Sequence, residues 1–439
     1  MNSPEDWEEK RLGDLSTLVT SGSRGWSRYY SEVGALFVRI GNLTRDHINL
    51  RLDDVVFVQP PRDGEGQRTQ LLAGDLLISI TADLGIIGVV PAKLGAAYVN
   101  QHIALLRIDP SAANSRWLGH FMSSANGRRQ VRRLDDAGAK AGLNLPTVKS
   151  LLASVPPLPE QRAIAAVLDA IDDSIRKTEQ IIAKLRQVKH GLLHDLLTRG
   201  IDDNGELRDP DRHPEQFQDS PLGRIPKGWE VAPFASYAFQ GRPYLKTGPF
   251  GSSLKQEHWV EQGIPVITIG SLGEGEFISS ELLHITERTA RALAAYAVAE
   301  NDIVFSRVAD VGRSVVVRQA QSGWVMSSNL MWISLDATRV VPDMVQAQIA
   351  WSHAVRHQIR AKVNAGGREV ANAAVLNSLR LAWPPFEEQR FIARLLHAGS
   401  DQLVWERESI AKLTELKSGL AEDLLTGRVR TTALGEISA

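Results

Sequence analysis

The chain has 439 residues, with 50 Lys and Arg against 51 Asp and Glu, a hydrophobic fraction of 43% and no cysteine. That length predicts two or three domains, each with its own core, and the lack of cysteine excludes disulfides and thiolate metal sites and fits a reducing cytoplasm. A net charge of −1 gives no global attraction to a polyanion, so any nucleic-acid affinity has to come from local clusters. The first ten residues, MNSPEDWEEK, lack a basic-then-apolar targeting pattern. The longest apolar run, Leu76 to Val90, is interrupted by Asp83 and is too short to span a bilayer.

Residues 1–152 read as a first globular domain of mixed sheet and helix. Short apolar runs such as Val55 to Val58 and Leu76 to Ile80, bounded by Gly, Pro and Asp, predict strands, and Trp117 to Arg133 predicts a helix. That helix brings in a basic cluster, Arg128, Arg129, Arg132, Arg133 and Lys140, offset only by Asp135 and Asp136.

Residues 153–200 open with VPPLPEQRAIAAVL. From Glu160 to Thr198 there is no proline, and no glycine before Gly191, which predicts one helix about 58 Å long at about 1.5 Å per residue. Its apolar residues Ile164, Leu168, Ile171, Ile175, Ile182, Leu185, Leu192 and Leu196 alternate spacings of four and three, with Thr178 and Lys189 in the polar slots. That is a heptad seam. The paired prolines stop helix upstream, and Pro159 suits a first helical turn. Gly200 is placed to end the helix.

Residues 201–224 are polar and proline-rich and read as a linker. Residues 225–380 form a second mixed domain, with a strand at Val315 to Val317 and a helix at Met344 to Lys362. His353 and His357 share a face of that helix, but no carboxylate accompanies them and no metal site is expected. Residues 381–428 begin WPPFEEQRFIARLL and predict a second long helix, with seam residues Ile392, Leu396, Leu403, Ile410, Leu413, Leu420 and Leu424 and with Lys417 in a polar slot. Residues 429–439 are a tail. Trp383-Pro384-Pro385-Phe386 has the outline of the Asp/Asn/Ser-Pro-Pro-aromatic loop of adenine amino-methyltransferases, but an indole has no acceptor for the target amine. The sequence therefore reads as a helix start rather than a catalytic loop.

The two helical segments are copies. Between Pro156–Thr198 and Pro384–Thr426 there are 21 identities in 43 ungapped positions. The preceding parts match more weakly: FVRIGNL with VITIGSL, GDLLISITADLG with NDIVFSRVADVG, DAGAKAGLNLPTVKSL with NAGGREVANAAVLNSL. So long a period means duplication of a whole domain. The helices kept their residues while the globular parts diverged, which predicts one framework carrying two different surfaces.

The duplicated PP…EQR openings, the DLLTG-like endings, the LGRIPKGWE lead-in at Leu222 to Glu230 and the two variable domains together resemble the specificity subunit of type I restriction-modification enzymes, over nearly the whole chain. The first lead-in is reduced to DWEEKRLGDL. The resemblance implies an α/β (α+β) fold: two target recognition domains separated by two long helices in an antiparallel coiled coil with pseudo-two-fold symmetry. It implies a non-catalytic reader of a split, asymmetric target in double-stranded DNA. The helices would dock two methyltransferase subunits, which bring S-adenosylmethionine, and restriction/translocase subunits, which bring ATP and Mg. The chain itself would hold no cofactor, and no phosphate-binding or S-adenosylmethionine motif is found in it.

Under that reading, TSGSRGWSRYY (Thr20 to Tyr30) offers Ser23, Arg24, Trp26, Arg28 and Tyr29 to DNA, since arginines bind phosphate or guanine edges and glycines permit close approach. YLKTGPFGSSLK holds the matching place in the second domain, with Lys246, Thr247, Ser252 and Lys255. Thr81, Asn100 and Gln101 in the first domain, and Arg307, Arg313 and Asn329 in the second, complete the candidates. Finally, the charge order of the first helix predicts that it can pair antiparallel with a second copy of itself, Asp169 near Lys189 and Asp172 near Arg186.

Overall fold

A computed structural model of the chain describes residues 4–22, 24–60, 64–136, 142–250, 253–273, 275–365 and 370–431. They form two compact units, Met1–Ile181 with Glu406–Ala439, and Ile182–Trp405.

In the first unit an antiparallel sheet runs in the order β2 (Ser16–Ser21), β9 (Ile103–Ile108), β6 (Leu76–Ser79), β7 (Ile87–Val89). A second runs β3 (Tyr30–Ser31), β5 (Phe57–Val58), β4 (Ala35–Val38), β8 (Ala97–Val99), its last pair parallel. β1 (Glu8–Arg11) pairs with β10 (Leu152–Val155). Residues of a strand point alternately to its two faces. Leu76 and Ile78 accordingly enter a core with Trp117, Phe121 and Ile164, whereas Leu77 enters one with Leu36, Val38 and Val99 of the other sheet. Covered on both faces, the strand must be apolar throughout. Helices α1 (Gly64–Thr69), α2 (Ser115–Ser123), α3 (Ala125–Asp136) and α4 (Leu145–Ser150) complete the domain.

The second unit repeats this order strand for strand. After the hairpin β11 (Phe217–Ser220) and β12 (Gly223–Pro226), its sheets run β14 (Leu245–Thr247), β21 (Leu330–Ile333), β18 (Ile303–Ser306), β19 (Ser314–Val316), and β15 (Trp259–Val260), β17 (Leu283–Ile285), β16 (Ile264–Ile267), β20 (Val325–Met326). The last pair is again parallel. β13 (Glu230–Pro233) pairs with β22 (Arg380–Trp383), as β1 does with β10. The domain's helices are α6 (Glu287–Ala292), α7 (Pro342–Trp351), α8 (His353–Ala365) and α9 (Ala373–Asn377).

The long helices are α5 (Leu158–Thr198, 41 residues) and α10 (Phe386–Leu425, 40 residues). They pack together antiparallel, as expected. Ile164 and Leu168 share a core with Leu424 and Leu425 in the first unit; Leu193, Leu196 and Leu197 share one with Ile392 and Leu396 in the second. Ile171, Ile175, Leu185, Leu192, Ile410, Leu413 and Leu420 are half-buried, and Ile182 and Leu403 are buried. The polar slots pair as equivalents: Lys417 Nζ lies 2.5 Å from Asp172 Oδ1, and Lys189 Nζ donates to Ser400 Oγ at 2.9 Å. Lysine in a seam costs stability but selects one register.

Gly200 (φ +59°) and Gly427 (φ +73°) take the left-handed conformation that follows a helix C-terminus. Each chain then turns back onto the start of the other long helix. Arg430 donates to Glu160 at 2.7 and 2.8 Å and to Asp6 at 2.9 and 2.7 Å. In the second unit Glu388 accepts from Arg208 at 2.6 Å, from the Ile201 amide at 2.9 Å and from the Trp229 indole at 3.1 Å.

Four expectations are corrected. The helix at Trp117 to Arg133 is two helices broken at Ser124, whose hydroxyl donates to the Phe121 carbonyl at 2.6 Å, a local bond that competes with helix. The one at Met344 to Lys362 is broken at the equivalent Ser352, which is extended at φ −66°, ψ 120°. The stretch at 201–224 carries an Ile201–Leu207 bridge and most of a hairpin, because Arg208 and Ile201 are held by Glu388. The self-pairing register also shifts. Asp169 is occupied by Arg116 (2.7 Å) and His120 (2.7 Å) of α2, and it is Asp172 that meets a seam lysine.

Candidate nucleic-acid interface

Three segments converge at the tip of each globular domain. The first follows β2. A Cβ at Gly22 would lie 2.1 Å from the backbone of Val99 and Asn100, so only glycine lets this strand end press onto that turn. At the equivalent place a Cβ on Gly248 would lie 1.9 Å from the Ser327 carbonyl. The second segment follows β6: Ile80 N donates to the His102 carbonyl (2.9 Å) as Arg307 N does to that of Asn329 (3.0 Å). In this turn Ala82 (φ +58°) and Ala309 (φ +59°) both hold the left-handed conformation, a strain that persists only where the surroundings impose it. The third segment precedes β9 and β21. Asn100 N donates to Val38 O (3.0 Å) as Ser327 N does to Ile267 O (2.9 Å). The backbone is one; the side chains on it differ.

In the first unit Arg24 and Arg28 are exposed and form no ion pair among the described residues. Arg28 lies 4.9 Å over the Tyr29 ring. Trp26, expected at the DNA surface, is 2% exposed. It stacks on Phe37 with ring centroids 5.7 Å apart and contacts Tyr29 and Tyr98, so Trp26 and the half-buried Tyr29 support the loop from beneath. Thr81 Oγ1 bonds His102 Nδ1 (2.7 Å), and His102 Nε2 bonds Gln101 (2.8 Å), a polar chain that ties two of the segments together. Asn100 is buried and its side chain accepts from the His102 amide (3.2 Å), a turn-holding role in place of the expected base contact. Ser23 and Ser252 lie outside the described residues.

In the second unit Lys246 is committed inward. Its Nζ donates to the Ala295 carbonyl at 2.5 Å and sits 4.8 Å over Tyr296, which removes it from the surface set. Thr247 is half-buried and pairs with Met331 in the sheet. Lys255 and Asn329 are exposed. Arg313 binds Asp310 (2.9 Å) and the Leu272 carbonyl (3.2 Å). Arg307 is half-buried and, among the described residues, its side chain bonds the Ala371 and Ser328 carbonyls alone, at 3.1 and 3.4 Å, and burial pushes its guanidinium below its ordinary value. A buried cation with neutral partners retains attraction for an anion. Sequence reading missed His102 as a link between turns, and it missed Phe250, 84% exposed on the YLKTGPFGSSLK loop; a phenylalanine between Gly-Pro and Gly was the available signal.

The basic residues Arg128, Arg129, Arg132 and Arg133 are exposed on α3 and form no ion pair among the described residues; Lys140 lies outside them. The Trp383 loop is closed: the ring is 2% exposed and its indole donates to the Ala232 carbonyl at 3.0 Å. Among the described residues no metal-binding cluster is present and no helix is long and apolar enough to cross a membrane.

The architecture defines a duplicated protein in which one scaffold presents two different sets of side chains. Residues 4–187 match the family described as the type I restriction modification DNA specificity domain. The chain is 23% identical over 435 residues to the putative type I restriction enzyme MjaX specificity subunit of Methanocaldococcus jannaschii, covering 97% of this chain and 94% of that one. Its fold is that of the type I restriction-modification S subunit from M. genitalium (TM-score 0.60, 12% identity, 97% of each chain). A chain solved in work on complex assembly and conformational transition of the type I R-M system is also similar (TM-score 0.53, 16% identity, 98% of this chain and 100% of that one). By sequence this chain is similar to type I restriction-modification specificity subunits, residues 4–187 match the DNA specificity domain of that family, and the fold is that of a solved S subunit.

Proposed function

We propose that the chain is the non-catalytic DNA reader of a cytoplasmic type I complex, each unit's tip recognising one half of a split, asymmetric target in double-stranded DNA. The observation that carries this is the pairing of equivalently hydrogen-bonded backbone turns with unlike side chains: Arg24, Thr81 and His102 in one unit, Phe250, Val308 and Asn329 at the same places in the other. A shared framework fixes how DNA is approached, and divergent side chains decide which bases are accepted. The long helices dock two methyltransferase subunits, with S-adenosylmethionine bound there, and restriction/translocase subunits supply ATP and Mg chemistry. Support for docking comes from apolar side chains left in solvent on these helices, Trp405 (64% exposed) and Val188 (57%) in the second unit and Leu416 (51%) in the first, since exposed apolar surface marks interaction sites.

Co-expression with the methyltransferase partner, followed by mapping of modified adenines, tests the reading. Two unlike half-sites separated by unread bases are expected. A single contiguous motif, or no sequence preference, would refute it.

A further inference from the structure

Resting on the DNA-reading assignment, we infer that Phe250 makes an apolar contact with the bases of the second unit's half-site, at the place where the first unit uses Arg24. Gly22 and Gly248 are the same position, each pressed against the turn before the last sheet strand. Counting on from them, Arg24 corresponds to Phe250, and each is followed by glycine, Gly25 and Gly251. Both side chains are exposed in the structure, Phe250 more than any other large hydrophobic residue among those described.

The backbone keeps Phe250 in solvent. Pro249 before it is buried, Gly248 is pinned on Ser327 and Ser328, and the amide of Ser253 donates to the Phe250 carbonyl at 2.8 Å, while the ring stays exposed. An exposed aromatic ring gives up the stabilisation that burial would provide. Nearby apolar cores take Leu254, Trp259 and Tyr296 but not Phe250. The same unit carries half-buried Arg307, whose side chain bonds the neutral carbonyls of Ala371 and Ser328, and exposed Lys255, 3.9 Å from Glu257; Arg307 is the cation left to attract a polyanion to this tip. Phenyl groups contact thymine methyls in the major groove or stack on bases, and either contact is apolar and independent of phosphate charge.

The test uses the full chain in complex with its methyltransferase partner. Phe250→Ala is expected to weaken binding to the cognate duplex by about tenfold. Affinity for non-specific duplex and the slope of affinity against salt should stay unchanged, and the methylome should relax in the second half-site only. Phe250→Leu should fall between the two. Arg24→Ala, by contrast, should alter the first half-site or the salt slope. The inference is overturned if Phe250→Ala leaves cognate affinity within about twofold, or if cognate and non-specific duplexes weaken alike. If the wild-type complex shows no target preference, the DNA-reading assignment falls and this inference falls with it.

Discussion

Gln161 and Gln389, the middle letters of the duplicated EQR, show what a short motif does once folded. Gln161 Oε1 accepts from the Asn114 amide (2.7 Å) and its Nε2 donates to the Pro156 carbonyl (2.8 Å). Gln389 does the same with Val341 (2.9 Å) and Pro384 (2.8 Å). Each fastens the start of a long helix to the cap of a domain helix, and both are buried. Gln161→Ala and Gln389→Ala should each lower stability by about 1–3 kcal/mol, because buried amide and carbonyl groups lose their partners; chemical denaturation showing no loss in either would remove the clamp from the account. For DNA, Arg24→Ala or Lys255→Ala at a phosphate contact should reduce the salt slope by about one unit and leave the motif unchanged. Binding measured from low to high salt decides this, and unchanged affinity in both variants would take these loops out of the interface.

At the scale of elements, each long helix is keyed to its own domain by charge, and the key is reversed between copies. In the first unit Asp169 of α5 receives Arg116 and His120 of α2. In the second the position equivalent to Asp169 is His397 of α10, and the acid, Asp343, is on α7. Burial would raise the Asp343 carboxyl, but bonds from His397 and Arg318 overcome that and hold it well below its ordinary value of 3.8. The bond to Asp343 raises His397 above 6.5, against burial and Arg318, with Asp401 adding to the rise. A raised imidazole stabilises the fold below the unfolded value and loses that contribution as pH passes the folded one; a depressed carboxyl does the reverse. This pair should therefore stabilise the second unit most between about pH 4 and 6.5. His397→Gln should flatten the fall in melting temperature expected on going from pH 6 to 8.5. An unaltered profile would count against the pairing, whose effect is moderated because His397 is half exposed.

The whole molecule is nearly self-complementary, and this yields the widest prediction. Lys417 is the equivalent of Lys189, and Asp172 that of Ser400. Two copies of the first half would therefore place a Lys189–Asp172 pair at both ends of the seam, where the intact chain has Lys417–Asp172 and Lys189–Ser400. Arg208, equivalent in role to Arg430, would then serve Glu160 of the other copy. A fragment of residues 1–213, co-expressed with the methyltransferase partner, should dimerise and direct methylation to a palindromic split target. A fragment ending at Asp202 lacks Arg208 and should dimerise more weakly, by about a hundredfold or more, because the dimer would lose two such contacts and hydrogen bonds to a charged group contribute about 1.5–3 kcal/mol each. Light scattering and methylome mapping read both; a strictly monomeric longer fragment would refute the idea.

The duplication, the two long helices, the seam and the closing glycines were legible in the sequence because each rests on local spacing, propensity or repetition, which neighbours along the chain determine. Tertiary structure alone decided which aromatic is inside and which is out. Trp26 and Phe250 sit on equivalent loops, yet Trp26 meets Phe37 and Tyr98 from distant strands while Phe250 is 84% exposed and belongs to no core cluster among the described residues. Lys246 looked free until the Ala295 carbonyl and the Tyr296 ring, about fifty residues away, came beside it. The linker folded because Glu388, 180 residues beyond Arg208, binds it. Exposure and partnership are properties of long-range contacts, and those follow from how strands and helices pack rather than from any stretch of the chain.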